Sequence, residues 1–194
     1  MRKLVVVEFL SLDGVMQAPG DPNEDTEGGF QHGGWQRPYF DDVLGSSSAE
    51  GMAATDAYLF GRKTYEIMAS FWPNAPKDDP YAGHLNETQK YVASTTLQSV
   101  EWQNSTLIVG DLVEAVAELK QQPGGNITVL GSGDLVQTLI KDDLVDQYTL
   151  FLSPILLGSG KKLFRDMDQT RSMKLVDSKP ASSGTMILTY QPTQ

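Results

Sequence analysis

A glycine, two cations and a hydroxyl stand together in Gly61-Arg62-Lys63-Thr64, directly after a short apolar run at 57–60. Good helix formers follow, so the segment is predicted as strand, turn and helix. A glycine at such a junction lets a ligand approach the backbone, and the N–H groups of a helix start attract anions. The pattern therefore predicts a site for an anion, usually a nucleotide phosphate. The alternative is a plain turn closed by Gly61 with solvated cations.

A second junction of small residues occurs at Gly131-Ser132-Gly133. It follows the branched run at 127–130, predicted as a buried strand, and precedes a predicted helix at 134–141. This arrangement lets a pyrophosphate lie on backbone amides. Two such junctions in one chain favour nucleotide binding over two unrelated turns.

Three hydroxyls, Ser94-Thr95-Thr96, come directly after the predicted strand at 91–93. Hydroxyls at this position bind a phosphate or cap a turn. Both interpretations stay open from the sequence alone.

Composition narrows the classes of partner. The 194 residues predict one domain, 1–194, whose core is large enough to be stable without disulfides or a metal. The absence of cysteine excludes disulfides and thiolate sites. The formal charge of −10 predicts no nucleic-acid partner and no membrane partner, because both would be repelled. His32 and His84 have no partners at metal-ligand spacing, so no metal is expected.

The order of the predicted elements indicates the fold class. Strands are predicted at 3–12, 57–60, 91–93, 106–109, 127–130, 147–153, 174–177 and 185–190. Helices are predicted within 41–55, starting near 46–48, and at 62–70, 85–89, 112–121 and 134–141, with long loops at 15–38, 73–83 and 154–164. The alternation predicts an α/β fold with a mostly parallel central sheet, antiparallel C-terminal strands and flanking helices.

Four motifs, in this order, resemble those of the dihydrofolate reductase fold. They are Gly61-Arg62-Lys63-Thr64-Tyr65-Glu66, the hydroxyls after Ala93, Val129-Leu130-Gly131-Ser132-Gly133, and Pro154-Ile155-Leu156-Leu157-Gly158-Ser159-Gly160-Lys161-Lys162-Leu163-Phe164. More closely, the chain resembles the reductase-domain family of the bacterial riboflavin-biosynthesis deaminase/reductase, in its stand-alone members. The resemblance covers nearly the whole chain and implies an α/β sheet that binds NADPH, in a homodimer.

The resemblance also implies roles for individual residues. It implies that Gly61, Arg62, Lys63 and Thr64 lie near the adenosine phosphates, with Arg62 at the 2′-phosphate. It also implies that Ser94 and Thr95 lie beside that phosphate or the adenine ribose. Near the pyrophosphate it implies the backbone amides of Gly131, Ser132, Gly133, Asp134 and Leu135. Phe9 matches the position near the nicotinamide, and Met16 lies on the loop expected to close over it.

The proton donor is less well marked. A nicotinamide reductase needs an acid or an ordered water beside the atom that receives the hydride. Folate reductases carry a carboxylate near the start of the first helix, and the matching region at 45–48 has none. Asp13, in a Leu-Asp-Gly turn, is the catalytic candidate, and a turn carboxylate that accepts N–H bonds is the alternative. Glu8 and Glu50 are further candidates.

The combined hypothesis is a cytoplasmic, homodimeric, NADPH-dependent reductase of a small heterocycle, pterin-like or pyrimidine-like, or of a carbonyl or imine compound. A phosphorylated substrate would need a second basic cluster, and Arg37 stands alone while Lys161-Lys162 lie far along the chain. An NADP-binding module of the same fold without significant turnover is the alternative, and a purely structural domain is a third possibility.

Overall fold

The computed structural model describes residues 1–76 and 78–193, so position 77, within the predicted loop 73–83, and position 194 lie outside the described residues. The strands are β1 Leu4–Ser11, β2 Thr55–Gly61, β3 Gln89–Ala93, β4 Ser105–Ile108, β5 Asn126–Leu130, β6 Gln147–Ser153, β7 Met173–Pro180 and β8 Met186–Pro192. The helices are α1 Asp42–Ala53, α2 Arg62–Phe71, α3 Pro80–Glu87, α4 Leu112–Gln121 and α5 Gly133–Lys141. No helix in this described part of the chain is long and apolar enough to cross a bilayer.

The strands form one eight-stranded sheet in the order β4-β3-β2-β5-β1-β6-β8-β7. The pairs β2–β3, β2–β5 and β3–β4 are parallel, whereas β6–β8 and β7–β8 are antiparallel. This confirms the predicted fold class. Parallel strands need crossover connections, which helices supply between β2 and β3 and between β4 and β5, while residues 94–104 join β3 to β4 without a helix. The antiparallel strands β7 and β8 follow one another directly.

The chain contacts divide it into two compact units, one of Met1–Val5 with Met52–Leu144 and one of Val6–Gly51 with Val145–Gln194. The single domain expected from chain length stays a prediction. In the first unit, strands β2 and β3 contribute Tyr58, Phe60 and Val92 to a core that α2 and α3 cover from one side. Tyr65 on α2 belongs to that core, and its hydroxyl accepts the Trp102 N–H at 2.9 Å.

Two helices of the first unit begin at an aspartate. The Asp79 carboxylate accepts the N–H groups of Tyr81 and Ala82, and the Asp111 carboxylate accepts that of Glu114 at 2.9 Å. The predicted helix at 85–89 was placed too late, because Asp79 caps the chain and proline at the first helical position needs no N–H partner. The Asp111 cap places the start of α4 at Leu112, where the helix at 112–121 was predicted to begin.

The same unit buries a lysine completely. The Lys90 ammonium donates to the carbonyls of Leu85, Asn86 and Thr88 at 2.7, 3.3 and 2.6 Å. It also lies 4.5 Å from the centre of the Trp102 ring. Burial lowers the pKa of Lys90 to about 8. Since those carbonyls surround the end of α3, Lys90 closes the C-terminus of that helix.

The second unit holds α1, the antiparallel strands and the long loop. Leu44 of α1 packs with Phe151 and Ile187 of the sheet. The predicted start of this helix near 46–48 was wrong, because the Asp41 carboxylate accepts the Leu44 N–H at 3.0 Å and starts the helix at Asp42.

The loop at 15–38 contains no strand or α-helix, yet it has its own small core. Val15, Ala18, Phe30 and Trp35 are buried together there. Trp35, near the end of the loop, is only 6% exposed. The loop is therefore anchored by buried residues at its start, middle and end, while half of its residues, including 20–23 and 26–29, are exposed.

Candidate functional site

The carboxyl ends of three neighbouring strands meet at one edge of the sheet in the first unit. The register pairs Gly61 of β2 with Ala93 of β3, so Arg62 and Ser94 follow at the same level. On the other side of β2, Tyr58 pairs with Thr128 of β5, three residues before the second glycine junction. In open α/β sheets, this edge is where ligands bind. The sheet thus brings the predicted phosphate-binding segments together.

Ser132 links the two glycine junctions directly. Its N–H donates to the Thr64 hydroxyl at 2.9 Å, and its own hydroxyl accepts the Gly61 N–H at 3.0 Å. Ser132 adopts φ 61°, a left-handed conformation that costs energy for a residue other than glycine. Strain of this kind persists only where surrounding contacts impose it, and it is common at ligand sites.

Gly131 makes the close approach of the junctions possible. Its φ is +60°, and a Cβ added there would lie 3.1 Å from both Cγ2 and Oγ1 of Thr64. At Gly61, an added Cβ would lie 3.6 Å from the Cβ atoms of Leu135 and Ser132. The Leu135 side chain is buried and packs near Gly61, while the Leu135 backbone lies in the first turn of α5.

The two helices that start at these junctions lack the aspartate caps of α3 and α4. Helix α2 begins at Gly61, which has no side chain to offer, and the N-cap of α5 is Ser132, whose side chain makes no capping hydrogen bond. The first N–H groups of a helix without a cap need another acceptor. Together with the positive end of the helix dipole, they suit an anion.

Cations stand at the first of these helix starts. Arg62 is half exposed and its guanidinium lies 3.0 Å from the Glu66 carboxylate, one helical turn away. Lys63 is the next residue of the same turn. An exposed pair of this spacing is weak, about 0.3–0.5 kcal/mol, so a phosphate can draw Arg62 away from Glu66.

The hydroxyls after β3 divide between two environments. The Ser94 Oγ accepts the N–H groups of Thr96 and Leu97 at 3.2 and 3.0 Å, which closes a turn. Thr95 is exposed at the tip of that turn. The turn interpretation therefore describes Ser94, and both residues remain at the sheet edge that carries Arg62.

Asp13 lies in the second unit and is held by three donors. The Ser11 hydroxyl and the Leu157 N–H reach Oδ1 at 2.6 and 3.1 Å, and the Gly158 N–H reaches Oδ2 at 2.8 Å. The hydrogen bond from Ser11, opposed by partial burial and reinforced by the two backbone donors, lowers the pKa of Asp13 to about 2. Asp13 is therefore an ionised acceptor at neutral pH. Ser11, which sequence reasoning missed, is the main cause.

The remaining candidates occupy different surroundings in the second unit. Phe9 stacks on Phe151 with ring centres 4.7 Å apart. Glu8 is buried, at 4% exposure, within β1. Glu50 is exposed and pairs with Lys179 at 3.2 Å. Of these two alternative acids, only Glu8 is sheltered from water.

The family of this chain follows from its sequence as a whole. A family model described as the RibD C-terminal domain matches residues 2–187. The chain belongs to the RibD C-terminal domain family. This confirms the resemblance found in the four motifs.

Individual relatives of this RibD C-terminal domain agree with that result. The uncharacterized protein YyaP of Bacillus subtilis (strain 168) is 32% identical over 141 residues, covering 70% of this chain and 73% of the relative. A solved structure from Shewanella sp. PV-4, which is named as a riboflavin biosynthesis protein, has the same fold. Its TM-score is 0.77, its sequence is 24% identical and 99% of both chains is covered. Dihydrofolate reductase from Enterococcus faecalis, solved with NADP(H), has a TM-score of 0.60 and 14% identity over 99% of this chain and 97% of that one. The fold is thus one that reductases use.

The geometry of this RibD C-terminal domain also shows which links the sequence could not reveal. Thr64 was expected to meet a phosphate, and its hydroxyl in fact accepts the Ser132 N–H. Nothing in the spacing of Thr64 and Ser132 signals that bond, since 68 residues separate them. Within residues 1–76 and 78–193, no group of three His, Cys, Asp or Glu side chains is placed to hold a metal ion.

Proposed function

We propose that this protein is an NADPH-dependent reductase that transfers a hydride to a small heterocycle, pterin-like or pyrimidine-like, or to a carbonyl or imine compound. One observation carries the proposal: two uncapped helix starts are joined through Thr64, Ser132 and Gly61, with Arg62 at the first of them. Helix starts, hydroxyls and a guanidinium are the groups that phosphates require.

The residues of this structure fit the cofactor. Gly131, in a conformation that favours glycine, leaves backbone open where any side chain would press on Thr64. In the proposal, the backbone from Gly131 to Leu135 binds the pyrophosphate, and Ser94 and Thr95 lie beside the adenosine end. Arg62 binds the 2′-phosphate, and Lys63 and Thr64 lie near the adenosine phosphates. When bound, the nicotinamide would supply the hydride for an electron-poor carbon, and Phe9 keeps the position near it that the resemblance implies.

Asp13 remains the proposed catalytic residue, in a role that its hydrogen bonds define. An ionised carboxylate cannot donate a proton, but it has about four lone-pair positions and Asp13 uses three of them. We propose that Oδ2 accepts a hydrogen bond from a substrate N–H or O–H and orients the substrate, while water delivers the proton. Asp13→Asn should then lower kcat without introducing a new pKa between pH 5 and 9 in the pH profile.

The cofactor is tested with Arg62→Ala and two controls. Energy transfer from tryptophan to the reduced nicotinamide measures the affinities for NADPH and NADH separately. We expect the variant to lose about tenfold in NADPH affinity, roughly 1.4 kcal/mol, with little change for NADH. Arg62→Lys should lose less, and Arg37→Ala, at another exposed ion-paired arginine, should lose nothing. Equal losses for both nucleotides would remove Arg62 from the 2′-phosphate.

A second candidate is an NADP-binding module without significant turnover. One observation favours it: Asp13 is already held by three donors. Oxidation of NADPH against a panel of pterins, pyrimidines, quinones and small imines separates the two. One compound turned over at several per second rejects the module, and uniformly slow oxidation with tight NADPH binding rejects the reductase.

The proposal includes a homodimer, as the family resemblance implies, and a place in the cytoplasm, with which the absence of cysteine is compatible. Light scattering of the purified protein measures the dimer directly. A monomer at micromolar concentration would remove that part of the proposal and leave the nucleotide site untouched.

A further inference from the structure

The long loop at 15–38 is fastened to the connection between β6 and β7. Val15 and Lys162 form an antiparallel bridge, and the Met16 N–H donates to the Lys161 carbonyl at 2.8 Å. The Leu163 N–H donates to the Gly14 carbonyl at 3.2 Å. All these residues belong to the second unit. The start of the loop is therefore paired with a distant part of the sequence as if both were short strands.

Gln17 extends this pairing with its side chain, which is 4% exposed. Its Oε1 accepts the Lys161 N–H at 3.0 Å, and its Nε2 donates to the carbonyls of Asp25 and Glu27 at 3.2 and 3.0 Å. Its own carbonyl accepts the indole N–H of Trp35 at 2.8 Å. The buried Gln17 side chain thus joins the start of the loop to its middle and to Lys161, while the Gln17 backbone carbonyl holds Trp35 near the end of the loop.

The Lys161 side chain makes the second link. Its ammonium lies 2.5 Å from a carboxylate oxygen of Asp25 and 2.5 Å from one of Glu27. Burial would raise the pKa of Asp25, but the hydrogen bond and charge of Lys161 outweigh burial and lower it. The Lys161 side chain is 34% exposed and that of Asp25 only 21%, so water screens this ion pair less than a fully exposed one.

The packing beside these bonds is close at Gly160, while Gln17, Phe30 and Lys161 also line an open cavity of about 280 Å³. A Cβ added at Gly160 would lie 2.6 Å from Val15 and 2.8 Å from the Phe30 ring, and its φ of +119° favours glycine. The ring of Phe30 belongs to the small core of the loop. The connection and the loop therefore interlock through the backbone, the packed rings and the charged groups at once.

We propose that Gln17 and Lys161 are positioning residues: they clamp the loop at 15–38 and thereby hold Met16 in place. That Met16 serves the reaction rests on the proposed reductase function. Met16 lies between Val15 and Gln17, and the backbone of 161–162 binds both of these neighbours. The clamp makes the loop a fixed wall rather than a lid that opens freely. The backbone of Met16 is then held in one position in every turnover.

The clamp itself is tested by hydrogen exchange, which needs no nucleotide. Lys161→Met keeps the apolar stem and removes the charge, Lys161→Arg keeps the charge, and Gln17→Leu removes the buried amide. We expect exchange of backbone amides in 16–30 to rise about tenfold or more in Lys161→Met and Gln17→Leu, and to stay near the parent value in Lys161→Arg. Amides of α4, in the other unit, should not change.

Arg37→Met supplies the matched control for this experiment. Arg37 also carries an ion pair of the loop, with Asp21 at 2.7 Å, but both partners lie within the loop and are more than half exposed. Its loss should leave exchange in 16–30 within about twofold of the parent. Unchanged exchange in both Lys161→Met and Gln17→Leu would overturn the clamp, as would an equal rise in Arg37→Met.

A kinetic measurement tests what the clamp does for the reaction. With any compound of the panel that turns over, Lys161→Met should lower kcat about tenfold while the Kd for NADPH stays unchanged, and Lys161→Arg should restore kcat. A loss confined to KM would overturn the positioning of Met16. If the parent protein binds no NADPH, the reductase proposal fails by itself, and the exchange experiment still decides the clamp.

Discussion

Helices α2 and α5 differ from α3 and α4 in how they begin, although all four belong to the first unit. The starts of α3 and α4 are closed by the carboxylates of Asp79 and Asp111. The starts of α2 and α5 follow Gly61 and Ser132, and no side chain of those N-cap residues closes them. A side-chain cap suits a helix start that has only a structural purpose. The difference teaches that a missing cap at a strand-to-helix junction marks where an outside acceptor is expected.

The contrast is strongest in α3, which the chain closes at both ends. Asp79 holds its first N–H groups, and the buried Lys90 ammonium holds carbonyls at its end. Changes in α3 and α4 should therefore alter stability and spare nucleotide binding. Changes at the starts of α2 and α5 should do the reverse.

The largest expected effect is at Lys90. Lys90→Met removes a donor from three backbone carbonyls and should lower the free energy of unfolding by about 3 kcal/mol. Urea denaturation measures this loss. The Kd for NADPH, measured on the folded variant, should stay within about twofold of the parent. A stability loss below 1 kcal/mol would show that the α3 end does not depend on Lys90.

The stability of the parent protein should also depend on pH through Lys90. Its folded pKa of about 8 lies below the value of an unfolded lysine, about 10.4, so the folded state releases this proton first. Between those values the unfolded state binds more protons, and the free energy of unfolding rises with pH, by up to about 3 kcal/mol. The difference in stability between the parent and Lys90→Met, measured from pH 7 to 10, should show that rise; a flat difference contradicts it.

Substitutions at two glycines distinguish the effect of backbone strain on stability from the effect on ligand binding. Gly131 and Gly110 both have positive φ before a helix start, but only at Gly131 would a Cβ meet another side chain. Alanine at either position should cost about 1 kcal/mol of stability. Gly131→Ala should also weaken NADPH binding about tenfold or more, and Gly110→Ala should not. Fluorescence titration measures both, and similar affinities for the two variants would break the comparison.

A smaller effect is expected at the cap of α4. Asp111→Ala removes the acceptor of the Glu114 N–H and should cost about 1 kcal/mol of stability with unchanged affinity for NADPH. Asp111→Asn keeps an acceptor of the same shape and should cost little. Thermal unfolding of the three proteins measures this. A change in nucleotide affinity would place α4 at the site after all.

The smallest effect concerns Glu66, which pairs with Arg62. Glu66→Gln removes an exposed ion pair, so stability should fall by no more than about 0.5 kcal/mol. Because Arg62 is then released and one negative charge is gone, NADPH affinity should rise about twofold. Glu114→Gln, in the first turn of α4, should leave affinity unchanged. Weaker NADPH binding in Glu66→Gln would mean that Glu66 orients Arg62 for the phosphate.

Much of the fold could be predicted, because local pattern and overall architecture agree. The predicted helix at 112–121 and strand at 147–153 match α4 and β6 at both ends. The main helix errors fell at the starts of α1 and α3, because Asp41 precedes the start predicted near 46–48 and Asp79 stands within the loop predicted at 73–83. A cap can be recognised from sequence only when the residues after it already look helical, and proline and glycine obscured that pattern here.

The candidate site could be predicted only in part, for a different reason. The glycine junctions and Arg62 stand in short continuous segments, so the sequence contains their signal. The bonds that join Ser132 to Thr64, or Lys161 to Asp25, connect residues far apart in the chain. No local pattern encodes such pairs, and Lys161 could be seen only as part of a distant basic dipeptide.

The sequence by itself determined the family, the alternation of strands and helices, and the two places where a helix follows a glycine-bearing turn. These depend on side-chain periodicity and on backbone preferences that act within a few residues. Only the tertiary structure decided that Ser11 and two backbone amides hold Asp13 ionised, and that Gln17 and Lys161 fasten the long loop. Those outcomes depend on which distant groups the packed backbone brings within hydrogen-bonding distance, and that distance is set by the whole fold.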